Sequence, residues 1–313
     1  MNTALVNPAQ YRAENPAASA SAPNAFISDQ AFVTLLTSDS YLAPVLVLNH
    51  SLTRAHARRK LLVLVTPNLS RSTLDCLALA GINTRLIDPI DNPASREVIN
   101  NLWRTLKGSM GKIRLYATVY TKLRIWELAE FKKLVFLDSD MMVLANIDEL
   151  FDRPNWSAVN TGGELPQYHH WIGLNSGLLV IQPSSTVFND MVDKIVKLKS
   201  HDWGDQGFLH AYFPRWPELN ELHLPHIYNM PVEFIDQYGA QLGYELAPDG
   251  GVHSKTVKII HYWREHRPWQ VPLRSLNYSM FANKPLYFKA FCLWTRAYSE
   301  VCETFPLLRK RLS

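Results

Sequence analysis

Cysteine is scarce: Cys76, Cys292 and Cys302 are all that 313 residues contain. An odd number without metal-ligand spacing argues against a disulfide framework and leaves a reducing cytosol as the simpler setting. Net charge is small as well, since 32 Lys and Arg against 28 Asp and Glu leave +4. That excludes the strongly basic balance of a nucleic-acid binder, and no long stretch is strongly basic before the last few residues. Met1–Gln30 lacks the basic and apolar regions of a secretory signal. No apolar run approaches the roughly 20 residues that a membrane span needs. The expectation is a soluble, cytoplasmic protein.

What is present is the composition of a folded chain, with 47% hydrophobic and 19% charged residues. The length accommodates one large α/β domain or two small ones. Residues 1–28, rich in Ala, Asn, Pro and Ser, read as a flexible leader. Apolar runs then alternate with helical spacing. Ala31–Leu36, Leu61–Val65, Asn83–Ile87 and Leu134–Leu137 read as strands, and Tyr41–Leu52, Ser70–Ala80 and Thr118–Ala129 as helices. Residues 89–117 show no period and read as an irregular loop with a short helix. The alternation implies an α/β fold with a mainly parallel sheet covered on both faces. Ser157–Val159, Gly177–Ile181 and Val257–Ile260 read as further strands. Thr186–Lys199 reads as a helix burying Val187, Met191, Ile195 and Leu198. A main domain over 29–270 is followed by a tail, 271–313. There Phe288, Phe291, Trp294, Tyr298 and Val301 fall near helical spacing, which suggests a helix packing on the domain. A dimer contact, or a weak membrane-surface contact aided by Arg309-Lys310-Arg311, is the alternative.

Ligands of parallel α/β sheets bind beyond the carboxyl ends of the strands, so polar residues directly after strands are the candidates. Asp138-Ser139-Asp140 leaves the strand Leu134–Leu137. Carboxylates at i and i+2 can turn toward one hard cation, Mg2+ or Mn2+; the plainer reading is a turn. His261 ends another strand and would add an imidazole nitrogen, a set that suits Mn2+ better than Ca2+, although a lone His there is more often structural. Arg264, His266 and Arg267 form a cluster suited to a diphosphate, or else a solvated basic turn. Lys122 opens the helix running into the Asp138 strand and should face the same edge, unless it is an ordinary surface lysine. Asn175-Ser176-Gly177 reaches that edge only if the strand after it runs antiparallel to its neighbours. Asp202–Gly207 opens a helix, with Asp202 or Asp205 as N-cap.

Seven segments in order, AFVTLLTSDSY (31–41), YTKLRIWE (120–127), VFLDSDMMVLANIDELF (135–151), LNSGLLVIQP (174–183), DWGDQGFL (202–209), LPHIYN (224–229) and IIHYWREHRPW (259–269), resemble glycosyltransferase family 8 over about residues 30–270. The resemblance implies a GT-A type, Rossmann-like nucleotide-binding domain with a mixed, mainly parallel sheet. It implies that Leu35, Thr37, Ser38 and Tyr41 hold the uridine of a UDP-sugar, and that Asp138, Asp140 and His261 bind Mn2+, or Mg2+, bridging the diphosphate. Ser139, Ser176 and Arg264 fall in the same donor-binding segments. Arg267 matches the family's diphosphate-binding lysine, and Lys122 a lysine contacting donor phosphate or sugar. Asn175, Asp202, Asp205 and Gln206 would contact the transferred sugar, with Lys122, Asp205 and Gln206 as the catalytic group. Family members retain anomeric configuration, so the implied reaction is departure of UDP with acceptor attack on the same face.

The chain also departs from the family pattern. Arg264 stands where the family often has Gly, and Arg267 replaces a lysine. Asp236, with Tyr238 two residues on, stands near the self-glucosylated tyrosine of the glycogenin branch. KLRIWE (122–127) and NIDELFDRP (146–154) resemble the galactinol synthase branch, which moves galactose from UDP-galactose to myo-inositol. Glu164 and His169-His170-Trp171 are candidates for the acceptor side. The partners implied are a UDP-sugar donor and a small polyol or sugar acceptor, with homo-oligomerisation left open. A glycogenin-like glucosyltransferase acting on a glycan is the alternative. Two remoter readings are a haloacid-dehalogenase-like phosphatase with Asp138 as nucleophile, and a non-catalytic nucleotide-sugar-binding module.

Overall fold

A computed structural model describes residues 29–92, 118–246, 253–263, 267–271 and 281–305. The expected leader 1–28, most of the expected loop 89–117, Arg264 with His266, and Arg309-Lys310-Arg311 lie outside these residues. The described strands are β1 Gln30–Leu36, β2 Leu61–Val65, β3 Asn83–Leu86, β4 Lys133–Leu137, β5 Met141–Val143, β6 Ala158–Val159, β7 Leu178–Ile181, β8 His223–Leu224, β9 Met230–Pro231 and β10 Ile259–His261. The α-helices are α1 Leu42–Arg54, α2 Arg71–Leu79, α3 Ser185–Lys194, α4 Asp205–Tyr212, α5 Ile235–Leu242 and α6 Pro285–Thr304. Among the described residues, no helix is long and apolar enough to cross a membrane.

The main sheet has the order β3-β2-β1-β4-β7. Its first four strands run parallel, and β7 joins β4 antiparallel with Leu137 opposite Leu178. This is the mixed, mainly parallel sheet expected. β2 is buried along its whole length because helices cover both faces. Phe32, Val63, Val135 and Val180 face one core with α1, while Val33, Leu64, Phe136 and Leu179 face the other with Phe208 of α4. A small second sheet, β5-β10-β9, and a parallel pair, β6-β8, complete the strands.

Three helices differ from their sequence reading. Thr118–Ala129 is instead a 3-10 helix over Val119–Glu127. Its β-branched and aromatic residues are modest α-formers, and the three-residue repeat sets buried Tyr120, Leu123 and Trp126 in one row. The helix expected to reach Lys199 ends at Lys194, so Phe188 and Met191 form its fully buried face and Val187 is only partly covered. In the tail, α6 buries Tyr287, Ala290, Phe291, Trp294, Ala297 and Val301 against the core that includes α1, whereas Phe288 is 38% exposed. Asp236 fixes the start of α6, accepting from the N–H groups of Leu286 at 2.9 Å and Tyr287 at 3.1 Å. It thereby satisfies two donors that Pro285 at the first turn leaves open.

Candidate active site

The parallel strands bring their carboxyl ends to one edge, and the second sheet completes it. β5 starts directly after Asp140 and pairs antiparallel with β10, placing His261 opposite Met141. The Tyr262 N–H donates to the Asp140 carbonyl at 2.9 Å. His261 Nε2 consequently lies 3.2 Å from Asp140 Oδ1 and 3.8 Å from Asp138 Oδ2. One ligand atom from each residue lies within 4.8 Å of the others. Gly177 permits this approach, because a Cβ there would lie 2.7 Å from His261 Cε1. The antiparallel β7 is what carries Asn175-Ser176-Gly177 to this edge.

Burial, with Asp140 beside it, lifts the Asp138 carboxyl to about 6 against the pull of Lys122 and His261. Asp140 is held below the usual carboxylate range: burial opposes this, but His261 and Arg267 outweigh it. A part-buried carboxylate, a buried one and a buried imidazole converging on one point form a donor set suited to Mg2+ or Mn2+. The residues present therefore fit a divalent cation.

Lys122 sits at the bottom of the site, not on the surface. Its ammonium lies 3.1 Å from Asp138 Oδ1 and 2.7 Å from Asp205 Oδ2, and it donates to the Ser176 carbonyl at 3.2 Å. Burial works against its charge, and Asp138 and Asp205 outweigh that and hold its pKa above the ordinary value. Asp205 is the first residue of α4, and the N-cap is Gly204, so neither aspartate holds the cap position itself. Asp202 supplies the cap from two residues upstream: its Oδ1 accepts from Gly204 N–H at 2.9 Å and Gly207 N–H at 3.0 Å. Gln206 Oε1 accepts from the Ser176 N–H at 3.2 Å.

These residues line a cavity of about 760 Å3. Leu35, Thr37 and Tyr41 border it from the end of β1, and Ser139 from the end of β4. Ser38 is not in the lining; its hydroxyl caps the following turn and meets Ser40 Oγ at 2.9 Å. Arg267 borders the cavity, donating to the Tyr41 hydroxyl and, at 2.7 Å, to the Trp263 carbonyl. Arg264 lies outside the described residues.

A second wall carries no Asp, Glu, Lys or Arg among its described residues. It is built from Tyr168, His170, Trp171, His226, Phe234 and Tyr238. Tyr168 stacks on Trp171 at 4.9 Å and tilts against Phe234 at 5.1 Å. Of the four acceptor-side candidates, His170 and Trp171 line the cavity, and Glu164 and His169 do not. Glu164 is drawn off by Lys255 at 2.8 Å and by the Tyr244 hydroxyl, and His169 meets the Glu164 carbonyl at 3.3 Å. The sequence reading missed Tyr168, His226, Phe234 and Asn229. His226 and Asn229 stand in the LPHIYN segment, whose apolar neighbours gave no sign of which residue faces the site.

His226 yields a pH prediction. It is 5% exposed, its ring lies parallel to Tyr238 at 4.6 Å, and neither ring nitrogen has a hydrogen-bond partner. Burial pushes it down from 6.5 to about 4, with Glu164 raising and Lys255 lowering it. Between these values the unfolded chain takes up a proton that the folded chain refuses, so stability falls as pH drops through that window. His226→Phe should remove about 2–3 kcal/mol of this acid-side loss. Urea midpoints near neutral pH and near about pH 4.5 check it; an equal loss in both proteins would contradict the assignment.

Residues 32–271 match the profile described as Glycosyl transferase family 8. The chain is 36% identical to human Glycogenin-1 over 245 residues, covering 78% of this chain and 63% of the relative. It is 32% identical over 192 residues to a putative UDP-glucuronate:xylan alpha-glucuronosyltransferase 4 of Arabidopsis thaliana, covering 61% of this chain and 30% of the relative. The aligned part thus spans less than two thirds of either relative. In three dimensions it superposes on an active-site mutant of LgtC with a TM-score of 0.51 at 18% identity, covering 83% of this chain and 95% of the other. That likeness establishes the expected GT-A type of fold.

Proposed function

The chain belongs to glycosyl transferase family 8, and on that premise we propose that it transfers a hexose from a UDP-sugar to a hydroxyl of an uncharged acceptor, with retention at the anomeric carbon. The observation that carries this reading is the convergence of Asp138, Asp140 and His261 within 4.8 Å at the sheet edge, above buried Lys122. Those three residues would hold a divalent cation, Mn2+ or Mg2+, which when bound neutralises charge on the diphosphate. Arg267, which borders the cavity, would add positive charge beside the same diphosphate, and Leu35, Thr37 and Tyr41 pack the uridine. Lys122 fixes Asp138 and Asp205 in place. Asn175, Asp202 and Gln206 face the transferred sugar. The haloacid-dehalogenase-like reading of Asp138 falls with the family membership.

The uncharged aromatic wall suits an acceptor that offers CH faces and neutral hydroxyls. Our first reading is a galactinol synthase-like reaction, galactose onto myo-inositol. Of the segments behind it, KLRIWE reaches the cavity only through Lys122, and Asp148 of NIDELFDRP accepts from the Arg58 N–H at 3.0 Å. The likeness in NIDELFDRP therefore concerns how the fold is joined. The identity to Glycogenin-1 favours a second reading, glucose from UDP-glucose onto a glycan. Under both readings neither residue near the self-glucosylated position is an acceptor, because Asp236 caps α6 and the Tyr238 hydroxyl accepts from the Glu164 N–H at 3.1 Å.

The deciding experiment is UDP release from UDP-galactose and from UDP-glucose, with Mn2+ or a chelator, and with or without myo-inositol. Release from UDP-galactose that rises with myo-inositol and stops with chelator supports the first reading. Inositol-independent release overturns that acceptor and sends glycans to test. Binding of UDP without product from any acceptor overturns catalysis in favour of a binding module.

A further inference from the structure

Asn229, at the entry to β9, is 2% exposed and touches His261 on the side away from the carboxylates. Four groups form a chain. The Gly177 N–H donates to Asn175 Oδ1 at 2.9 Å, Asn229 Nδ2 meets the same oxygen at 2.9 Å, and Asn229 Oδ1 meets His261 Nδ1 at 2.9 Å. The direction of every bond follows from its first member. A backbone N–H can only donate, so the Asn175 atom facing it is the oxygen. The Asn229 atom facing that oxygen must then be the amide nitrogen, which turns the Asn229 oxygen toward His261. An oxygen there requires a proton on Nδ1. In a neutral imidazole this leaves Nε2 bare and aimed at Asp138 and Asp140.

We propose that Asn229 is a positioning residue that holds His261 in the tautomer able to ligate a divalent cation. The inference rests on reading Asp138, Asp140 and His261 as a cation site. It adds that the hydrogen-bond chain joins this site to the Asn-Ser-Gly segment on the donor side. Without the Asn229 oxygen, the better acceptor for the imidazole proton is Asp140 Oδ1, 3.2 Å from Nε2. The proton would move to Nε2, and a cation would have to displace it.

The test compares the wild-type chain with Asn229→Leu, of similar size without polar atoms, and Asn229→Asp, which keeps an acceptor for Nδ1–H. Nitrogen-15 NMR of the metal-free proteins, at a pH where the ring is neutral, reads the His261 tautomer. Electron paramagnetic resonance of free Mn2+ reads affinity without donor or turnover. Wild type and Asn229→Asp should carry the proton on Nδ1, and Asn229→Leu on Nε2. Mn2+ affinity should fall about 10–100-fold in Asn229→Leu. An Nε2 proton in the wild-type protein, or unchanged Mn2+ affinity in Asn229→Leu, overturns the proposal. The wild-type tautomer decides even where Asn229→Leu fails to fold. A wild-type protein carrying the Nδ1 proton but binding no Mn2+ would overturn the cation-site reading instead.

Discussion

Asp140→Asn should lower divalent-dependent release of UDP by about a thousandfold, the size of effect expected when metal-borne charge stabilisation worth several kcal/mol is removed. Asparagine keeps the shape of the side chain, and the Tyr262 N–H bonds to the backbone carbonyl of residue 140, so the β5–β10 junction survives. What disappears is the carboxylate that faces His261 Nε2 at 3.2 Å and helps lift Asp138 to about 6. With that repulsion gone, Asp138 should ionise more easily. The substitution also gives up the attraction of His261 and Arg267, so the metal-free protein should unfold at a temperature close to that of wild type. A chelator should then make little further difference to the residual rate. Turnover close to wild type, still sensitive to chelator, would remove Asp140 from the cation site.

The parts of this site that rest on local chain chemistry were legible in the sequence. A strand of buried type followed by Asp-x-Asp declares its own place at the sheet edge, and the condition set for Asn175-Ser176-Gly177, an antiparallel β7, is met. Other features depend on pairings between distant segments, which periodicity does not encode. The β5–β10 register that sets His261 beside Asp140 is one. The turn of Glu164 toward Lys255 and Tyr244, away from the cavity, is another. Asn229 was illegible for a different reason: asparagine in a short turn is ordinary, and only the chain of donors starting at Gly177 gives its amide a direction. In Thr118–Ala129 the tighter 3-10 winding overrode the expected helix type while leaving Lys122 pointed at the expected edge.

Lys122→Ala should produce two losses that can be separated. The first is stability. The ammonium lies between Asp138 and Asp205 at 3.1 and 2.7 Å, and its removal takes the lysine charge from the part-buried Asp138 and the buried Asp205. Breaking a buried pair in this way costs about 3–5 kcal/mol. Because Lys122 lowers the Asp138 pKa in the wild type, its loss should move the acid limb of the activity profile to higher pH. A divalent cation at the Asp138–Asp140–His261 point would offset part of the charge left behind. The melting temperature of Lys122→Ala should therefore rise more on adding Mn2+ than that of wild type. The second loss is catalytic: with Mn2+ saturating, transfer should slow about a hundredfold or more while UDP affinity changes only a few-fold. Equal losses in transfer and in UDP binding would reduce Lys122 to a ground-state contact. Lys122 acts on the developing charge, as well as on the fold, only if turnover falls further than binding after Mn2+ has restored the melting temperature.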